Sequence, residues 1–131
     1  MHQITLKDFP GLDLGDIRRN DRFVSILNNI SKQPGSSIPK QNEGWYDTKA
    51  TYSFYNNEDV TISSLQQAIT SFGCRQVEGL PRILVAHDIS NISYNDLQAE
   101  GLGYLDNKDG RGILCYSRVD ICEDGGTLSV K

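Results

Sequence analysis

Between residues 16 and 72 apolar side chains recur at helical spacing, and after residue 82 they gather into short runs. Ile17, Phe23, Val24, Leu27 and Ile30 fall on one side of a helix that Asp16 can cap and that runs to about Lys32. Arg18, Arg22, Ser25, Asn29 and Lys32 fall on the other side, and Pro34-Gly35 ends the element. Ser36-Ser37-Ile38-Pro39 predicts a new helix start, because proline in a first turn lacks only an N–H that has no intrahelical partner there. Gly44 interrupts. A third helix follows from Trp45 to about Tyr55, with Trp45, Lys49 and Tyr52 on one face and Ala50 and Phe54 beside it. Trp45 and Tyr52 are expected in the core, as large aromatics usually are. Thr61 is the expected N-cap of a fourth helix with a buried stripe of Ile62, Leu65, Ala68, Ile69 and Phe72, and Gly73 is its expected stop.

The period then changes. Arg82 to Asp88 is nearly continuous in apolar character and too short for a helix, the pattern of a strand covered on both faces, with Asp88 at its end. Ile92-Ser93-Tyr94 predicts a short second strand, residues 95–111 a polar loop, and Gly112 to Ile121 a further strand. Glu123-Asp124-Gly125-Gly126 predicts a hairpin turn and Thr127 to Val130 the returning strand. Helices come first and strands second, an α+β arrangement with expected domains at 1–75 and 76–131. No helix follows Phe72 to cover the sheet, so the sheet reads as incomplete.

The 131 residues suffice for one ordinary domain, with 37% apolar and 8% aromatic residues and a mean hydropathy of −0.44. No signal-peptide run opens the chain and no stretch approaches the ~20 apolar residues of a membrane span. Cys74, Cys115 and Cys122 are three, with no CxxC spacing, so neither a disulfide framework nor a zinc knuckle is expected, and a reducing cytoplasm is the expected location. They read as small buried hydrophobes. The net charge of −4 weighs against nucleic acid, but its distribution qualifies that. Residues 1–50 carry seven Lys/Arg against six Asp/Glu, and residues 51–131 carry six against eleven.

Three stretches carry a resemblance. Leu14-Gly15-Asp16-Ile17-Arg18-Arg19-Asn20-Asp21-Arg22 resembles a "GD-x-R-x-x-x-R" opening helix. Pro34 to Pro39 followed by Trp45-Tyr46-Asp47-Thr48-Lys49-Ala50-Thr51-Tyr52-Ser53-Phe54 is similar to an "SIP…W-x-x-TKAAYRF" helix pair. Leu84 to Tyr94, Glu100-Gly101-Leu102-Gly103 and Gly110 to Leu114 look like an "hDTT-x-h-x-Y … EGLG … GRGLL-x-HS" segment. In this order and spacing, from about residue 14 onward, they resemble the N-terminal region of Tn-five-like DDE transposases, of the insertion-sequence-four group. Ile89-Ser90 stands where that family has a threonine pair, and Tyr116 where it has a histidine.

The resemblance implies an N-terminal helical bundle that binds transposon-end duplex DNA, followed by an incomplete RNase-H-like β-sheet. In that family three carboxylates hold two magnesium ions, and Asp88 matches the first, a catalytic residue and metal ligand. Hard Mg²⁺ prefers carboxylate oxygens, and a metal pair activates the attacking oxygen and stabilises the leaving one. One aspartate cannot hold two metals. The family's other two acids lie well downstream of the matched stretches, so the full-length parent would use Mg²⁺ in cut-and-paste transposition, and this chain is expected to bind none tightly and to be inert as a nuclease.

Each residue also has a plainer reading. Arg18, Arg19 and Arg22 are DNA-binding candidates, but Asp16 and Asp21 can pair with them locally. Lys49 is the stronger candidate for a base-edge or backbone contact, and Lys40, Asn42 and Thr48 are possible phosphate neighbours. Arg111, in a Gly-Arg-Gly turn, is either a DNA contact or a turn residue. His87 alternates away from Asp88 and reads as a packed or surface side chain. Asp120 is expected at the surface. The expected function is binding of transposon-end DNA; its rivals are a truncated protein that inhibits transposition by competing for ends or pairing with full-length subunits, and a small nuclease completing its site by oligomerising.

Overall fold

A computed structural model describes residues 3–94, 100–105, 110–122 and 127–130. The chain is α+β, with four helices, α1 (Ile17–Lys32), α2 (Ile38–Gln41), α3 (Gly44–Tyr55) and α4 (Ile62–Val77), ahead of four strands, β1 (Leu84–Ser93), β2 (Gly103–Tyr104), β3 (Arg111–Ile121) and β4 (Thr127–Val130). It divides into two compact units, Met1–Phe72 and Gly73–Lys131.

In the helical unit the Asp16 carboxylate accepts from the Arg18 backbone N–H at 2.8 Å and starts α1, which carries Phe23, Val24 and Ile26 inward. The Phe23 ring meets Phe9 edge-on at 5.3 Å and Phe54 of α3 in a stacked arrangement at 6.5 Å, while Phe9 stacks on Phe72 of α4 at 5.3 Å. Offset and edge-on aromatic pairs of this kind add to the burial of apolar area. Leu65, Ala68 and Phe72 of α4 pack against this cluster as expected from their spacing. Ile17 and Ile30, read on the apolar side of α1, are exposed, and so are Ile62 and Ile69 of α4. Gly73 does not stop α4, which runs four residues further with Gly73 buried inside it.

In the second unit β1 pairs antiparallel with β3 over ten residues, from Leu84↔Ile121 to Ser93↔Gly112. The other edge of β3 is shared by β2, at Gly103↔Gly112, and by β4, at Val119↔Val130. The two short strands read around residues 82–94 are therefore one, and Asp88 lies in its middle rather than at its end. Arg111 opens β3 instead of sitting in a turn. Leu84, Ile89, Ile92, Ile113, Leu114 and Tyr116 are all exposed, which corrects the expectation of a strand buried on both sides. Asp120, expected at the surface, is fully buried. It is flanked by Val85 on one side and Ser129 on the other, and Arg118 pairs with it at 2.7 Å. The turn read at 123–126 lies outside the described residues. Cys74 is exposed and Cys115 and Cys122 are half-buried, so none is the fully buried small hydrophobe expected.

Candidate nucleic-acid interface

Helix α3 has two stripes, and its burial distinguishes them. Thr48, Thr51 and Phe54 face inward and are almost fully buried. Trp45, Lys49 and Tyr52 occupy positions i, i+4 and i+7, within roughly 60° of arc at 100° per residue, and face solvent, Trp45 at 76% exposure and Tyr52 at 45%. Tyr46 flanks them at 80%. The expectation that Trp45 and Tyr52 belong to the core is thus overturned. Helical periodicity grouped the stripe correctly and could not say which way it faced. One signal was present: Lys49 lies at its centre, and a buried ammonium without a partner is costly.

Asn42 and Thr51 explain why the threonine stripe wins. The Asn42 Oδ1 atom accepts from Nδ2 of Asn29 on α1 at 3.1 Å and from Oγ1 of Thr51 on α3 at 3.0 Å, and its Nδ2 donates to the Ile38 carbonyl at 2.7 Å. Thr48 donates its hydroxyl to the Gly44 carbonyl at 2.9 Å. Three helices are tied through one buried amide. Asn42 and Thr48, read as phosphate neighbours, are therefore buried and turned inward.

The arginine trio is engaged within the unit. Arg18 is held by the Asp16 carboxylate at 2.8 Å, Arg19 by Asp59 at 2.7 Å and Arg22 by Asp47 at 3.2 Å. Arg19 also donates to the Leu14 carbonyl at 2.8 Å. The Arg18 side-chain hydrogen bond, reinforced by its backbone N–H, holds the Asp16 carboxyl down to about 2 from an ordinary 3.8. Arg19 and Arg22 thereby join α1 to the segment after α3 and to the first turn of α3. Lys40 and Lys49 are exposed, and among the described residues neither makes an ion pair.

In the sheet, Asp88 is exposed, opposite Ser117, and accepts from the Ser90 hydroxyl at 3.2 Å. His87 points to the other face, where its Nδ1 shares a hydrogen bond with the Tyr116 hydroxyl and the two rings stack at 5.4 Å. Arg111 donates to the Leu102 carbonyl at 3.0 Å, with its guanidinium 6.0 Å from the Tyr104 ring centre. Among the described residues no group of three or more His, Cys, Asp or Glu could hold a metal ion, so Asp88 and its neighbours do not by themselves fit a magnesium pair.

Residues 1–60 match the family of transposase DNA-binding domains. Over those residues the chain is similar to the DNA-binding region of transposases. Its matched segment spans α1 to α3 and the turn after them, and so contains the outward stripe of α3, the arginine trio and the Asn42 network. No helix among the described residues is long and apolar enough to cross a membrane.

Proposed function

We propose that the chain is the end-binding part of a cut-and-paste transposase of the Tn-five-like group, and that the outward face of α3 is the surface that meets the terminal repeat. The observation that carries this is the Trp45–Lys49–Tyr52 stripe, exposed in a segment that matches transposase DNA-binding domains. Lys49, which pairs with none of the described carboxylates, supplies a cation for a phosphate or a guanine edge. The arginines, occupied by Asp16, Asp59 and Asp47, set the shape of the unit and contribute less to the phosphate contacts. Fluorescence anisotropy with the element's terminal repeat and a scrambled duplex tests this. Lys49→Ala should weaken binding to the repeat by roughly tenfold and lower the salt slope by about one. Equal affinity of wild type and Lys49→Ala for the repeat would remove α3 from the interface.

On the same reading the sheet belongs to an RNase-H-like catalytic domain of DDE type. Two features support it: β1, β3 and β4 follow one another antiparallel in chain order, and an exposed carboxylate, Asp88, stands on the first of them. Asp88 would contribute one ligand to a magnesium site whose other acids come from elsewhere in the enzyme. Asp88→Ala should therefore leave affinity for the repeat unchanged.

A further inference from the structure

Two rings of α3, Trp45 and Tyr52, flank Lys49 on the outward face. A duplex offers a reading helix base edges, sugars and phosphates, because its base faces are stacked on one another. Trp45 and Tyr46 stand 76% and 80% exposed at the start of α3, and Tyr52 is 45% exposed two turns on. Rings so exposed present π-faces, and the partner that matches a π-face is the face of an unstacked base. Trp45 and Tyr52 are about 10 Å apart along the axis at 1.5 Å per residue, with Lys49 between them. That is the alternation of ring, cation and ring that a single strand meets when its bases stack and its phosphate is neutralised. The platform is rigid, since the opposite side of α3 is fixed by the Asn42–Thr51 hydrogen bond and by Phe54. The nearest acid on the helix, Asp47, has its charge offset by Arg22.

We infer that Trp45, Lys49 and Tyr52 form a stacking platform for unpaired DNA bases, so that the region holds a single-stranded or frayed DNA segment as well as duplex. This rests on the DNA-interface reading and adds to it a preference for unpaired strand.

Trp45 is the only tryptophan of the chain, so its emission reports on this platform alone. The full chain is titrated with a blunt duplex and with the same duplex carrying a single-stranded thymidine tail, following both anisotropy and tryptophan emission. The tail should raise affinity by roughly tenfold and quench Trp45 at saturation. Trp45→Ala should abolish the advantage of the tail, so that tailed and blunt duplexes bind that variant alike, and Tyr52→Ala should reduce the advantage in part. Circular dichroism of each variant checks that the helices are kept. A tailed duplex that binds no tighter than the blunt one, or that saturates without quenching Trp45 beyond the blunt duplex, overturns the platform and leaves the duplex interface standing. Failure of wild type to bind either form overturns the interface reading itself, and the platform with it.

Discussion

The amide of Asn42 accepts from two side chains and donates to a backbone carbonyl, and it joins α1, α2 and α3 in a single polar network. Asn42→Ala would strip partners from the buried Thr51 hydroxyl and from the Ile38 carbonyl, and an unsatisfied buried polar group costs about 1–3 kcal/mol. Denaturant unfolding of the helical unit should show a loss of about 2–3 kcal/mol; a loss under about 0.5 kcal/mol would mean that water replaces the network freely. At the other end of α1, Asp16 makes stability depend on pH. Its folded pKa of about 2 lies below the ordinary 3.8, so its contribution is complete above the ordinary value and is lost as pH falls from there towards 2. Thermal melts of wild type and Asp16→Asn should differ most near pH 5 and converge towards pH 2; a gap constant over that range contradicts the assignment. Asp16 as a cap was readable from sequence because capping is local. Asn42 was not, because a short amide two residues from Lys40 looks like a phosphate neighbour until Asn29 and Thr51 are brought to it by the fold.

At the scale of elements, helices α1, α3 and α4 were legible from their period, and so were the main strands, because a change from helical spacing to short apolar runs reports a change of backbone geometry. Orientation was harder. On α3 a threonine stripe and an aromatic stripe compete for the core, and the choice depends on whether Thr51 finds Asn42, which is a contact between elements. The continuity of β1 was missed because Ser90 and Asn91 look like loop residues, whereas their pairing with Cys115 and Leu114 carries the strand through to Ser93, opposite Gly112. Gly112 makes that pairing possible. A Cβ there would lie 2.1 Å from the Ile92 carbonyl oxygen and 3.1 Å from the Leu105 side chain, and backbone cannot yield as a flexible side chain can. Gly112→Ala should therefore separate the ends of β1 and β3 and destabilise the sheet by more than about 2 kcal/mol, by analogy with overpacked cores. The check is loss of slow-exchanging amides from Asn91 to Ser93; their retention would show that the carbonyl moves aside at little cost.

Over the whole molecule, apolar burial is distributed unevenly between the two units. The helical unit encloses Phe9, Leu14, Phe23, Val24, Ile26 and Phe54, whereas among the described residues of the sheet unit Leu105 is the one hydrophobic side chain that is buried. An antiparallel sheet can leave one face to water but gains its stability from the face it covers, and here Ile89, Leu114 and Tyr116 on one face and Leu84, Ile92 and Ile113 on the other are all exposed. The two units should therefore differ in local stability, since opening free energy follows buried apolar contact. Hydrogen exchange on the full chain measures this directly. Amides of α1 from Phe23 to Leu27 should outlast those of β1 from Val85 to Ser90 by more than about a hundredfold, a gap of roughly 3 kcal/mol at 1.4 kcal/mol per tenfold. Phe23→Ala, which removes a ring packed between Phe9 and Phe54, should cost the helical unit about 3–5 kcal/mol and erase most of that gap while leaving β1 exchange unchanged. Equal protection of α1 and β1 in wild type would mean that the sheet draws stability from contacts other than its own faces, and the reading of it as an uncovered sheet would fall.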